Sequence, residues 1–425
     1  YRLEACVQSE VGCARAILKA VSDISKKVRL NMNMQVLKHK LVRAALGFRK
    51  REIVCTEVTG NRFSMHLGGR AYFLEADRDL PPFKVYDFAA WAVAMLAMRR
   101  GIPVQFDLPV SESTALALAR ASALWAVRHP RQSHPLDMEL INVVSDPVPD
   151  PSATGGLLCL SGGIDSTHAA IEATKQHGYD RAMMLHGFDF RLRNDVGFGG
   201  RHASAVAVAE HFGLDMMVVR TDLTRTVWPT HVYMTMLLHT CSLFAQPELP
   251  RHGFSADQSA SHTLFMHPHS NSAGIEGYYS TPSRPVDFFG AVESRAVKLR
   301  DIYEESPDLL RHMGFCLLEY KKGGNCGVCE KCVRTRLSMD IAGLDQTLIF
   351  PDRMNPSEFY ETMQSEGVQK ARITLARLEE FMVAMPRGAD RDRMLRTTDK
   401  MRADLTGHRA PMPSKLSVSD RTAPD

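Results

Sequence analysis

The sequence predicts an α/β protein. Its main sheet is parallel with helices on both faces, and a smaller α/β domain precedes it. Three observations carry this reading. First, the apolar runs LLCL (157–160), RAMMLH (181–186) and DMMVVRT (215–221) alternate with helical stretches at Ser166–Gln176 and His202–His211, the pattern of parallel strands joined by helical crossovers. Second, a strand-and-helix pattern of its own occupies roughly residues 50–147. Third, SDPVPDPSATGG (145–156) holds three prolines and two glycines in twelve residues, too many to sustain a regular element. The chain therefore divides into an N-terminal α/β domain (1–147), a linker (148–156), a main domain (157–350) and a C-terminal helical extension (351–425).

Taken in order, residues 1 to about 50 read as helical. From Lys26 to Arg51 there are nine Lys/Arg and no acid, either a solvated helix face or a stripe facing RNA or another anion. EIVCTEVT (52–59) and RAYFLEAD (70–77) read as strands. YDFAAWAVAMLAMRR (86–100) has helical periodicity and ends at Gly101 and Pro103. IPVQFDLPV reads as a strand, Ser111 as the cap of a helix reaching Val127, and MELINVV (138–144) as another strand. HVYMTMLLHTCSLFA (231–245) is an apolar helix. The stretch from Gly388 is polar, with Pro411 and Pro413, and is expected to be loosely ordered at its end.

Composition excludes several classes. The 425 residues are 44% apolar and 24% charged with a net charge of +4, a balance that forces neither nucleic-acid nor membrane binding. No apolar run approaches the ~20 residues of a membrane span, and no secretory signal pattern stands at the start. The nine cysteines are odd in number and three fall within seven residues, unlike a disulfide framework. A cytoplasmic, reducing location is expected.

LLCLSGGIDSTHAA (157–170) places Ser, Gly, Gly, Asp, Ser and Thr directly after a strand and before a helix. Glycines let backbone N–H groups approach phosphate oxygens, and the following helix aims its free N–H groups and positive dipole end at the same anion. Ser161, Ser166 and Thr167 add hydroxyls. Asp165 repels bare phosphate, so it either helps hold Mg²⁺ or braces the loop. The pattern is neither a Walker A loop nor a dinucleotide fingerprint.

Ser161–Ser166 resembles the SGGxDS loop of the ATP pyrophosphatases, the PP-loop family. The resemblance implies a Rossmann-like, adenine nucleotide alpha hydrolase-like fold, with ATP held at Ser161, Gly162, Gly163, Asp165, Ser166 and Thr167, and with Asp165 and Ser166 as the catalytic positions. By place in the fold, Leu185 and His186 would hold adenine through backbone groups. Arg201 would reach phosphate, and Asp189 a metal or ribose. The implied reaction is attack of a substrate oxygen on the α-phosphorus, loss of pyrophosphate, and displacement of AMP by a nucleophile.

The second motif is GFCLLEYKKGGNCGVCEKCVRTR. Cys326, Cys329 and Cys332 form C-x2-C-x2-C, and Cys316 lies ten positions earlier. Four such thiolates can close a tetrahedral Zn²⁺ site with a structural role; an iron–sulfur cluster is the alternative. Loop and cluster together resemble the 7-cyano-7-deazaguanine synthase-like proteins, in which a similar cysteine site is followed by an arginine, here Arg334. The resemblance implies a ligase adenylating a carboxylate or amide oxygen for attack by ammonia or an amine, with ATP, Mg²⁺ and Zn²⁺ as cofactors. Its partners would be a small-molecule acceptor and the nitrogen donor, and a second copy of the chain is allowed.

Two other functions stay open. One is tRNA thiolation, disfavoured because Cys159 lies in a strand and Cys241 in an apolar helix. The other is a nucleotide-binding partner subunit without turnover. In the long polar stretch 254–300, His262, His267 and His269 follow no metal pattern. Glu276, Tyr278, Tyr279 and Ser280 are candidates to line a pocket, and Arg295 with Lys298, one helical turn apart, to clamp an anion. Asp165→Ala is expected to abolish turnover without unfolding the chain.

Overall fold

The structure is a computed structural model and describes residues 51–148, 154–227, 230–246, 248–257, 274–316, 325–357, 375, 378–379, 381–382 and 384–407. The expected N-terminal helix and basic stripe, His262, His267, His269 and the chain end lie outside the described residues.

The first half runs β1 (Glu52–Ile53), β2 (Cys55–Thr59), β3 (Arg62–Leu67), β4 (Arg70–Ala76), α1 (Asp87–Arg100), β5 (Val104–Phe106), β6 (Val110–Ser111), α2 (Glu112–Arg128), β7 (Met138–Leu140) and β8 (Val143–Val144). The second half runs β9 (Leu157–Cys159), α3 (Ile164–His177), β10 (Arg181–His186), α4 (Asp195–Phe212), β11 (Asp215–Thr221), α5 (Thr224–Val227), α6 (Thr230–Ala245), β12 (His252–Ser255) and β13 (Val286–Phe289). It continues with α7 (Arg295–Glu305), α8 (Pro307–His312), α9 (Glu330–Ala342) and α10 (Ala389–Gly407).

The fold is α/β with mixed sheets. The largest has eight strands in the order β13-β12-β9-β10-β11-β4-β3-β2. Its first five are mutually parallel, and β4, β3 and β2 continue it antiparallel. Chain order reverses direction at the β9–β12 junction, because β10 and β11 extend to one side of β9 while β12 and β13 extend to the other. In open parallel sheets, ligands bind in the crevice outside the carboxyl ends of the strands at such a reversal.

Residue alternation explains how both faces are covered. Leu157 and Cys159 of β9 belong to one buried cluster, and Leu158 to another; Met183 and Leu185 of β10 join the first, Ala182 and Met184 the second. The first cluster is roofed by α1, α2 and α6, the second by α3, α4, α7 and α9. Period-2 side chains that are apolar on both sides require a helical layer on each.

This corrects the expected separate N-terminal domain. β2, β3 and β4 add to the main sheet through the antiparallel pairing of Val219 with Ala76 and Thr221 with Leu74. Helix α1 is buried over twelve of its residues, Asp87 to Met98; a helix apolar all round must be covered all round. Small parallel sheets do form there, β1-β5-β7 and β6-β8, but their helices share the core of the second half. Sequence patterning also missed β3, β12 and β13. Helix α4 starts two turns earlier than expected, because the Asn194 side chain accepts from Gly197 N–H at 3.1 Å and caps a glycine-rich first turn. The stretch after Gly388 forms α10, whose Met394 and Met401 are buried with Val333 and Leu337 of α9. No helix among the described residues is long and apolar enough to cross a membrane.

Tyr279 is buried in the first cluster, where its hydroxyl accepts from Trp125 Nε1–H at 2.7 Å, and Ser280 binds the backbone of Val286. Neither lines the cavity described below, against expectation. Nearby, His239 and His252 are buried with ring centroids 5.9 Å apart. Burial, then the neighbouring Arg284, pushes His252 down to about 3; burial, then His252 and Arg284, holds His239 well below its ordinary value. Both are neutral in the folded chain, whereas the unfolded chain binds their protons below pH ~6.5. Stability is thus retained above pH ~6.5 and lost on acidification, by about 2 kcal/mol from His252 down to pH ~5, with His239 adding in the same direction. Urea unfolding at pH ~7 and ~5 should show this slope, and His252→Phe should reduce it.

Candidate active site and candidate metal centre

A cavity of about 340 Å³ opens at the carboxyl ends of the parallel strands, beside the β9–β12 reversal. Of the expected site residues, Ser161, Gly163, Asp165, Ser166, Leu185 and Arg201 line it, as does Asp189; Gly162, Thr167 and His186 do not. Its lining is apolar at Met183, Met184, Phe188, Phe190, Met234 and Phe315 and charged at Asp257, Arg295, Lys331 and Arg334.

The loop is braced from within. Ser166 Oγ accepts from Ser161 N–H at 3.2 Å, lies 3.1 Å from Ser161 Oγ, and donates to the Gly163 carbonyl at 3.1 Å. Ser166 therefore shapes the turn. Gly163 is the N-cap of α3 and offers no side-chain cap, which leaves the first-turn N–H groups for a ligand. Gly162 does not touch the cavity but makes the turn with φ +69°, and a Cβ there would stand 2.7 Å from the Ala205 backbone N. Gly162→Ala is expected to lose roughly 2–4 kcal/mol in chemical denaturation and to distort the loop. Thr167 is fully buried and its hydroxyl has no partner within the described residues.

Asp165 is the electrostatic centre. Its Oδ2 accepts from Arg295 Nη2 at 2.8 Å and its Oδ1 from Lys298 Nζ at 3.1 Å. Lys298 Nζ also donates to the Ala256 carbonyl at 2.8 Å, and Arg295 reaches Asp257 at 3.4 Å. Burial alone would raise the Asp165 carboxyl; Arg295 and Lys298 outweigh it and hold it below the usual carboxylate range. The α7 pair thus clamps an internal carboxylate. Both Asp165 oxygens are engaged by cations, which favours the bracing role over a metal ligand.

Arg201 is buried on α4. Burial draws its guanidinium below the ordinary value, and Asp189 opposes this. His186 is buried with its ring stacked on Phe198, centroids 4.1 Å apart, so its side chain is turned from the cavity. Lys331, Asp257, Ser255 and the apolar lining residues Met183, Met184, Phe188, Phe190, Met234 and Phe315 were not singled out from sequence. The one available signal was the position of Lys331 and Arg334 around Cys332.

Cys316, Cys326, Cys329 and Cys332 converge, with all four Sγ atoms within 4.8 Å of one another. The pairs 316–329, 326–332 and 329–332 are 3.7, 3.8 and 3.5 Å apart. A tetrahedron with Zn–S bonds of about 2.3 Å has edges of about 3.8 Å. The group can hold a metal ion and is compatible with zinc. Asn325 fixes the approach: its Oδ1 accepts from the N–H groups of Phe315 and Cys316, and its Nδ2 donates to the Met313 carbonyl.

No protein-family model matches the chain, and no curated protein matches it.

Proposed function

We propose that the chain is an ATP pyrophosphatase-type ligase. It adenylates a carboxylate or amide oxygen and passes the activated group to ammonia or an amine. The observation that carries this reading is the SGGIDST turn standing at the strand-order reversal, with an uncapped helix N-terminus and a charged cavity of about 340 Å³ beside it. Numbered from β9, the parallel strands follow 3-2-1-4-5, the order of doubly wound nucleotide-binding sheets. This supports the Rossmann-like, adenine nucleotide alpha hydrolase-like assignment.

In this reading the β- and γ-phosphates sit on the amides of the first turn of α3. The apolar lining near Leu185 takes the base. The acceptor oxygen attacks the α-phosphorus, the bond from that phosphorus to the bridging oxygen breaks, and pyrophosphate leaves with the charge. The nitrogen nucleophile then attacks the activated carbon and AMP departs. Catalysis is positioning and charge neutralisation. Magnesium arrives with the nucleotide, as it prefers phosphate and water with one or two carboxylates; Asp189 and Asp257 are the cavity carboxylates suited to it. A tetrathiolate shell leaves zinc no open position, so its role is structural.

Thiolation of tRNA is the weaker reading. Cys159 lines the cavity, but burial pushes its thiol up to about 12, and burial also holds the Cys241 thiol well above its ordinary value; neither supplies the thiolate such chemistry needs. Pyrophosphate release decides the matter. Release stimulated by ammonium in the presence of metabolite extract supports the ligase, and release that requires tRNA supports thiolation. Formation of ADP in place of AMP excludes both. Nucleotide binding without turnover on any acceptor favours the partner-subunit reading.

A further inference from the structure

Two cations of the cavity belong to the metal centre. Lys331 lies between Cys329 and Cys332, and Arg334 lies two residues after Cys332; both line the cavity. Cys329 is the N-cap of α9, so the ligands and the two cations share that helix's first turns. The strand of chain entering the cluster is tied to the loop itself, since Gly314 N–H donates to the Gly162 carbonyl at 3.1 Å. Gly314 also lets that strand pass close to Arg201: a Cβ there would stand 3.4 Å from its Cδ and Nη1. Phe315, next to Cys316, lines the cavity as well. Arg334 further contributes to holding the Asp165 carboxyl down.

We infer that the four-cysteine centre builds one jaw of the nucleotide site: its metal fixes Lys331 and Arg334 against the phosphates of a nucleoside polyphosphate, with Arg201 beside them. The inference rests on the nucleotide reading above and adds that phosphate affinity depends on metal content. The geometry gives the reason. Four sulfurs around one ion fix the Cα positions of Cys329 and Cys332 and with them the first turns of α9. Without the ion, four thiols or thiolates packed within 4.8 Å of one another lose the charge that draws them together. The turn carrying both cations is then no longer pinned. Adenosine, held by the apolar lining near Leu185, should be indifferent to this change.

The test is calorimetric titration of the full chain with α,β-methylene-ATP and, separately, adenosine. It uses zinc-loaded protein, chelator-stripped protein, and the variants Lys331→Ala and Arg334→Ala, with zinc content measured in each. Expected are at least a tenfold weaker affinity for the analogue on stripping and in each variant, a shallower salt dependence in the variants, and unchanged adenosine binding. The variants should retain full zinc, which keeps the test decisive if stripped protein unfolds. Wild-type analogue affinity in both alanine variants would overturn the inference while leaving the nucleotide reading intact. Wild-type affinity in folded, stripped protein would do the same. Failure of the zinc-loaded wild-type chain to bind the analogue at all would sink the nucleotide reading and the inference with it.

Discussion

Asp165→Ala should unfold at much lower denaturant concentration than the wild-type chain, with a loss of about 3–5 kcal/mol, besides losing turnover. The sequence led to the expectation of lost turnover alone. The difference comes from Lys298, whose side chain is 2% exposed. Its partners are one Asp165 oxygen and the Ala256 carbonyl. Removing the carboxylate strands a buried positive charge and leaves Arg295, bound to the other oxygen, with only its longer contact to Asp257 among the contacts described above. The cost is that of an uncompensated buried ion and not the modest worth of a surface pair. Two companions sharpen the experiment. Asp165→Asn keeps the shape and loses the charge, and should fall between. Lys298→Met in the Asp165→Ala background should recover part of the stability, because the stranded charge is gone; the cycle of single and double variants gives the coupling. A wild-type unfolding midpoint for Asp165→Ala would refute the bracing role.

Cys329→Ala should lower bound zinc from about one equivalent per chain to near none, and should destabilise the second core strongly. Structural zinc is worth roughly 10–16 kcal/mol in isolated fingers, comparable to the ~5–15 kcal/mol net stability of a whole domain. Here Cys316 and Cys332 are buried within the cluster that also holds Leu160, Ile164 and Leu299. Loss of the ion therefore loosens the layer under the loop as well as the cysteine cluster. Metal analysis and thermal unfolding check both parts. Unchanged zinc content would remove Cys329 from the ligand set. A brown protein containing iron and sulfide would replace zinc with an iron–sulfur cluster.

Strands 70–77, 181–186 and 215–221 and helices 86–100 and 231–245 were legible almost to the residue, because period-2 and period-3.6 apolar patterns are local. The SGGIDST turn and the cysteine cluster were legible for a similar reason: a positive-φ glycine, a helix start or a thiolate ligand is specified within a few residues. Helix α4 was under-read because its glycines mask a helix that Asn194 caps. The strands β12 and β13 were hidden in a polar stretch. Tyr279 was misjudged because polar residues at a sheet edge look alike whether they face a ligand or, as here, a buried tryptophan.

By itself the sequence determined the turn, the four-cysteine group and the succession of elements that makes an α/β sheet, since each is a property of neighbouring residues and their spacing. Only the tertiary structure decided that β2–β4 extend the main sheet, that α1 is part of its roof, and that Lys331, Arg334, Arg295 and Asp257 meet around one cavity. Those facts depend on which faces bury one another and on charges brought together from distant segments, as Arg295 is brought to Asp165 across 130 residues. Such a pairing carries no local signature, because its stability arises only once the chain has excluded water from between the partners.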